Sequence, residues 1–519
     1  MAKQRAPRVR LPAIELVAPL ALLGMVLSAP VSAQVSVQPS VIVRETYSDN
    51  VQLNDSEHAR SGFITDLSPA LTVAANTARF KLYGQLNLHQ YLNSADEGGG
   101  GNTTYLQLNT GGRANLIEDL FYVDGNATRS RQSVSAFGQQ FQEGYNDNNA
   151  DIVTTWRLSP YLTHRFGAFA NAQLRYTRDS VKSTRSLLSN SSSDAATLSL
   201  SSGPRFTSFA WDANLYHQQV DDAQAGKSDV DNALGTLRYR LKQSLSVYTT
   251  AGYDKYTYQG LGGTTEGKTY TGGFTWTPSQ RTSIDASAGH RLYGKTYSLA
   301  ATVRSRNTIW NASYRDEITT SRAQFLKPGS IDTASALDAS FAAAFPDPVQ
   351  RRQAIDAYIR ALGLPTSIPN NINYFSNRLL LQKQGQVSVI LNGSRSTAIA
   401  SISNTKRTAL SPANVDAGLD NGILPSLNDD TRQRSLSLAL NYRLSPRTSA
   451  TLNTVKSRVT TLATGLEQDQ TLVNLVVTRQ FEKKLSGTVE LRRNQGSTIS
   501  GLGFGYQENA ITASLNYQL

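Results

Sequence analysis

The sequence predicts an all-β fold: a transmembrane antiparallel β-barrel of about 22 strands, roughly 18 to 24, with a helical insert in one long loop. Three observations carry this. The last eleven residues alternate strictly, with Ile511, Ala513, Leu515, Tyr517 and Leu519 on one parity and Thr512, Ser514, Asn516 and Gln518 on the other. Successive side chains of a strand point to opposite faces, so this strand has one lipid-like and one water-like side. Second, connections between alternating segments come in two kinds, short turns and longer polar links, that take turns along the chain, as in a barrel with one short-turn rim and one long-loop rim. A soluble sandwich edge also alternates, but a sandwich has no reason to sort its loops. Third, hydrophobic residues make up 39% and mean hydropathy is −0.35, too polar for membrane helices and suited to strands that are half polar. Tyr numbers 23 against 16 Phe and 4 Trp, and an amphipathic ring suits interfacial girdles.

The elements follow in order. Lys3, Arg5, Arg8 and Arg10 precede an apolar run, Leu16 to Leu27, and Val31-Ser32-Ala33 offers small residues for cleavage. This reads as a signal peptide over residues 1–33 with cleavage after Ala33. Its loss removes four basic residues and Glu15, taking the net charge from +12 to +9. The barrel is assigned residues 34–519. The chain enters its first strand at Val35 to Tyr47, with no separate domain expected ahead of it. Asp49 to Arg60 is a polar loop, Phe63 to Ala74 returns, and Asn76-Thr77-Ala78 turns tightly. In the next strand Phe80, Leu82, Gly84, Leu86, Leu88 and Leu92 oppose Lys81, Tyr83, Gln85, Asn87, His89 and Tyr91. The Gly-rich stretch from Asn93 to Asn102 is a loop.

Further short turns are expected near Asn115–Glu118, Pro160–Arg165, Ser202–Arg205, Lys242–Ser244, Pro278–Arg281, Arg304–Arg306, Gly393–Arg395, Ser445–Arg447 and Glu482–Lys484. Longer links are expected at Gln139–Asn149, Val181–Ser193, Val220–Val230, Tyr258–Gly267, Thr408–Asp430, Ala463–Asp469 and Gln495–Glu508. The link over residues 318–373 is much the longest, and its pattern becomes helical. Asp347 can cap, Pro348 suits a first turn, Ile355, Tyr358, Ile359 and Leu362 follow helical spacing, and Gly363 with Pro365 ends it. An earlier helix is expected over Thr333–Phe345. By parity the insert lies on the long-loop, extracellular side, either folded into the lumen or capping the mouth.

Little looks catalytic. There is no Cys, hence no disulfide scaffold or thiolate metal site. No nucleotide-binding or zinc spacing occurs, no cofactor is expected, and no enzyme activity is assigned. His89 lies on a polar parity, and His217 and His290 on apolar ones; a hydrolase would need Ser or Asp beside a His. The carboxylates Asp221-Asp222 and Asp429-Asp430 read as solvated loop charge, or else as sites for loop Ca²⁺ or lipopolysaccharide-bound cations. The informative charges oppose apolar parity within strands: Arg175, Arg238, Arg240, Arg291 and Arg315, with Asp285. A charge on the lipid face at the midplane costs about 2–4 kcal/mol, so these side chains are expected to line the lumen. There they either favour anionic solutes or pair with Asp212, Asp254, Asp285 or Glu490 to stiffen the wall. Tyr517 and Leu519 mark the closing strand. No basic-aromatic nucleic-acid module stands out. The expected partners are the lipid bilayer and lipopolysaccharide, the barrel-assembly machinery during biogenesis, and polysaccharide-export components.

Four stretches carry a family resemblance. They are Val41 to Leu53, Phe63 to Pro69, Glu118 to Asp124, and the run from Trp276-Thr-Pro-Ser-Gln-Arg-Thr-Ser283 to His290–Leu299. These resemble the PEP-CTERM-system-associated outer membrane protein family, most specifically at Arg44 to Leu53. The family occurs beside exosortase and exopolysaccharide genes. The resemblance implies an outer-membrane barrel linked to export or assembly of extracellular polysaccharide, as conduit or accessory, and supplies no catalytic residues. A diffusion porin for small anionic solutes and a structural barrel anchoring a secretion assembly are the alternatives.

Overall fold

In a computed structural model the chain is described at residues 34–94, 102–139, 149–184, 188, 190–258, 263–326, 351, 355, 374–412, 430–497 and 505–519. The expected signal peptide, Gly-rich loop tip and both helices of the insert fall outside these residues, apart from Arg351 and Ile355, which are helical.

Twenty-two strands form one antiparallel sheet. They are β1 (Gln34–Ser48), β2 (Gly62–Asn76), β3 (Phe80–Asn93), β4 (Asn102–Ile117), β5 (Phe121–Ser133), β6 (Ala150–Phe166), β7 (Ala170–Ser183), β8 (Ser191–Ser202), β9 (Phe209–Asp222), β10 (Gly226–Lys242) and β11 (Leu245–Tyr258). They continue as β12 (Gly263–Ser279), β13 (Thr282–Arg291), β14 (Gly294–Arg304), β15 (Thr308–Thr319), β16 (Leu380–Asn392), β17 (Ser396–Ala409), β18 (Thr431–Ser445), β19 (Thr448–Thr461), β20 (Glu467–Gln480), β21 (Leu485–Gly496) and β22 (Tyr506–Gln518). Each strand pairs with the next. β1 also pairs with β22, Val43 opposite Leu515 and Tyr47 opposite Ile511, so the sheet closes and no edge is left.

The apolar parity faces outward. On β22, Ile511, Leu515 and Tyr517 are exposed while Thr512 and Glu508 are buried. An outward aromatic girdle follows the short-turn rim, with Phe166, Phe209, Tyr239, Trp276, Trp310, Tyr442, Phe481 and Tyr517. Tyr47, Phe63, Tyr253, Tyr270 and Tyr297 stand outward nearer the other rim. Amphipathic rings between hydrocarbon and headgroups account for both bands.

Three connections differ from the sequence reading. Pro160–Arg165 is not a turn but part of β6, and the chain turns at Gly167–Phe169, where Gly167 takes φ +54°. Proline cannot donate to a ladder, and β6 accommodates it by lapsing: Leu158 opposes Arg178 and Tyr161 opposes Arg175, with Ser159 and Pro160 unpaired toward β7. The same lapse occurs at Ser68–Pro69 between β2 and β3. Val220–Val230 is not a long link; β9 runs through Asp221 and Asp222, and only Ala223–Ala225 connects it to β10. A second tight connection, Leu292–Tyr293, joins β13 to β14 where the sequence reading has no break. Gly226 (φ +73°) and Gly294 (φ +106°) supply the backbone these hairpins need.

After β15 the chain forms a short helix, α1 (Ser321–Leu326), which folds inside the barrel. The segment 374–379 that returns to β16 is buried as well.

Candidate lumenal pathway

The inner wall is built from polar strand parities. Two bodies of chain reach into the lumen at its long-loop end. Arg322 of α1 bonds the buried Asp179 of β7 and, at 2.7 Å, Ser191 at the start of β8. Ser193 also donates to Asp179 (3.0 Å), and Arg157 stands 3.9 Å away. Leu326 packs with Val153 of β6, Val181 of β7, Val134, Leu188 and Phe375. Phe375 N–H donates to the Val134 carbonyl (3.0 Å). Next to it Tyr374 packs with Ala136, Phe137 and Val459 of β19. Its hydroxyl meets Thr431 of β18 (2.9 Å) and its ring lies under Arg407 of β17 (4.8 Å). Gln324 donates to Gln382 of β16 (2.7 Å) and accepts from Arg407 (3.2 Å). β7 and β18 are eleven strands apart in a ring of twenty-two. The inward segments therefore bridge opposite walls.

The two sides of the lumen differ. On β17–β19 the inward Ser401, Ser403, Gln433, Ser435, Asn453 and Ser457 are all buried. Hydroxyl pairs join Ser401 to Ser437 (2.7 Å) and Ser403 to Ser435 (2.6 Å). Inward residues of β10 toward the short-turn rim are instead exposed, Arg238 and Arg240 among them. Between the bridge and the wall of β9–β11 lies a cavity of about 260 Å³, lined by Tyr216, Tyr256, Tyr258, Asn232, Arg322 and Asn377 among others.

The residues singled out in the sequence take up different roles here. Arg175 is inward, bonded to Asp124 (3.1 Å) and stacked on Tyr161 with its guanidinium carbon 3.9 Å from the ring centre. Arg113 binds the same Asp124 (2.7 Å). Arg291 is clamped by Asp254, Nε and Nη2 both donating at 3.1–3.2 Å. Asp254 also accepts from Asn232 (2.8 Å) and Thr269 (2.5 Å). Asp285 accepts from Tyr248 (2.8 Å) and Thr275 (2.6 Å). Arg315 lies 3.8 Å from Glu317 and is half exposed. Arg238 stacks over Tyr248 (5.3 Å). Among the described residues neither Arg238 nor Arg240 meets a carboxylate. Arg175 and Arg291 are thus wall fixtures, and Arg238, Arg240 and Arg315 present charge to water. Tyr517 opposes Val41 of β1 and Leu485 of β21, and Leu519 N–H closes onto the Pro39 carbonyl (2.9 Å).

Sequence reasoning missed the charged residues that seal the barrel. Glu508 of β22 accepts from Ser48 of β1 (2.8 Å) and Arg492 of β21 (3.1 Å), all three buried. Inward parity marks each of them; only the strand register brings them together. One His does lie beside Ser and Asp: His89 Nδ1 is 2.8 Å from Ser68 Oγ and 3.0 Å from Asp66. Both contacts use the same ring nitrogen, and Ser68 is 1% exposed. A relay needs the two ring nitrogens to face different partners, so this cluster is a packed hydrogen-bond knot between Tyr91 and Tyr105.

No family model matches the chain, and no curated protein does. Solved structures match over most of its length. The FrpB iron transporter from Neisseria meningitidis (F3-3 variant) is 10% identical with a TM-score of 0.50, covering 93% of this chain and 81% of that one. The siderophore receptor PiuA from Acinetobacter baumannii is 8% identical with a TM-score of 0.47, covering 92% and 82%. At such identity the FrpB likeness concerns the fold alone. Together with the outward apolar face, the paired aromatic girdles and the closed sheet, it places this chain in the outer membrane as a 22-stranded β-barrel.

Proposed function

We propose that this barrel is a gated outer-membrane conduit for anionic, hydrophilic substrates, and that the substrate is an extracellular polysaccharide in export. The observation that carries the reading is the bridge from β7 to β18, set across a lumen whose other side presents unpaired arginines to water. Arg238 and Arg240 are exposed and meet no carboxylate among the described residues, so their charge is carried to the water of the lumen. A permanent positive potential along a water-lined path favours anions. The polysaccharide assignment is supported by the strand resemblance to the exosortase-associated family.

In planar bilayers the native protein is expected to conduct weakly and prefer anions. Changing Arg238, Arg240 and Arg315 together to Gln should shift preference toward cations with little effect on folding. Arg291 is left out of the set because its loss would strand Asp254. Deleting the gene should reduce secreted polysaccharide. Conductance without anion preference, or unchanged secretion, would count against the two halves of the proposal separately.

A further inference from the structure

At the short-turn end the inner wall of β3–β8 holds a recess of about 880 Å³. That is within the size range of small-molecule sites, about 300–1,000 Å³. Four cations line it, Arg79, Lys81, Arg113 and Arg165, against one carboxylate, Asp119. Arg113 is taken up by Asp124, whereas Arg79 and Arg165 meet no carboxylate among the described residues. Its floor is a pair of stacked tyrosines, Tyr122 and Tyr161, with ring centres 5.1 Å apart and planes 14° apart. Tyr161 is buried, covered by Tyr122 on one side and Arg175 on the other, so Tyr122 offers the aromatic face. Most of the remaining lining is amide and hydroxyl, Asn115, Asn171, Gln173, Thr163, Ser199 and Ser201, with Ala78, Ala172 and His164.

We infer that this recess binds an acidic oligosaccharide, a run of uronic-acid sugars, where the substrate enters the barrel. The inference rests on the polysaccharide reading above and narrows it to carboxylated glycans. Each part of the lining has a counterpart in such a ligand. Guanidinium forks pair with sugar carboxylates in bidentate fashion. The Tyr122 face takes the apolar side of a sugar ring. Amides and hydroxyls, each both donor and acceptor, match sugar hydroxyls. An acidic peptide would engage the arginines, and its backbone the amides and hydroxyls, but it brings no ring face to Tyr122, so the sugar is favoured.

The test is direct binding to the purified full-length protein in detergent, by calorimetry at low salt, with three probes: trigalacturonate, maltotriose and triglutamate. Trigalacturonate is expected to bind, maltotriose not measurably, and triglutamate more weakly than the sugar acid. The double variant Arg79→Gln/Arg165→Gln should weaken trigalacturonate binding about tenfold or more, the loss of two charge-assisted contacts. Arg79→Lys/Arg165→Lys should recover part of it, and Tyr122→Ala should erase the advantage over triglutamate. Retained heat-modifiable migration shows that each variant is folded. Equal binding of maltotriose, no change in the Gln double variant, or triglutamate binding as tightly as trigalacturonate would each overturn the assignment. If trigalacturonate binds as expected but gene deletion leaves secretion unchanged, the export reading fails and the recess stands. Lost secretion without binding has the opposite meaning.

Discussion

Removing the Glu508 carboxylate is expected to cost about 3–5 kcal/mol, because it leaves a buried charge uncompensated. Arg492 and Glu508 are 2% and 3% exposed at the seam where β22 meets β1 and β21. The check is Glu508→Ala against Glu508→Leu/Arg492→Leu: the single change should lower the urea midpoint of the folded barrel far more than the double. A different residue responds to pH. Asp55, in the loop after β1, accepts from His58 Nδ1 (2.8 Å) and from the backbone N–H groups of Glu57 and His58. The His58 hydrogen bond holds its pKa below the usual carboxylate value. Stabilisation of this turn is therefore present above the ordinary carboxylate pKa and lost as pH falls through the lowered one. Limited proteolysis of the 49–61 loop should accelerate on acidification below that range, and Asp55→Asn should remove the dependence. At this scale parity was legible and partnership was not. Arg291 and Asp254 could be assigned to the inner face from alternation alone. That they meet depends on the register of β11, β12 and β13, which the alternation within each strand does not reveal.

The closing strand tests the element scale. Tyr517→Asp with Leu519→Asp puts charge on an outward face that pairs with both β1 and β21. Most of the heat-modifiable, membrane-embedded protein should be lost, and normal insertion would sink the idea that β22 closes the barrel. Strand elements were largely readable because a period of two survives even where Pro interrupts a ladder. Pro160 misled for the same reason that prolines usually inform: it cannot donate, and β6 simply omits the bonds there. The helix α1 lies ahead of the two helices expected between β15 and β16, which fall outside the described residues apart from Arg351 and Ile355. The insert itself was recognisable by its length. Its direction was not, since inward folding is decided by Arg322 finding Asp179 and Leu326 finding Val153, contacts across more than a hundred residues of sequence.

For the whole molecule, topology and the bridge are the testable features. An epitope tag at Glu57 should be reachable on intact cells, whereas tags at Thr77 and Gln280 should not; labelling of the second set would invert the barrel. Releasing the bridge with Arg322→Ala and Phe375→Ala should raise single-channel conductance several-fold while leaving the 22-strand wall intact, as judged by gel mobility. Unchanged conductance would mean that the bridge does not limit flow.

That bridge also dictates an order of events in assembly. Its anchors on β7 and β18 lie at opposite points of the circumference, and the two inward segments that reach them, α1 and 374–379, both lie between those strands in the sequence. Apart from the β1–β22 closure, strand pairing is between neighbours in sequence, whereas the bridge needs contacts distant in sequence and a curved wall to hold them. The crosspiece can therefore span the lumen only after the strands from β7 to β18 have paired and curved, so Arg322 and Tyr374 reach their opposite anchors late in the making of the wall.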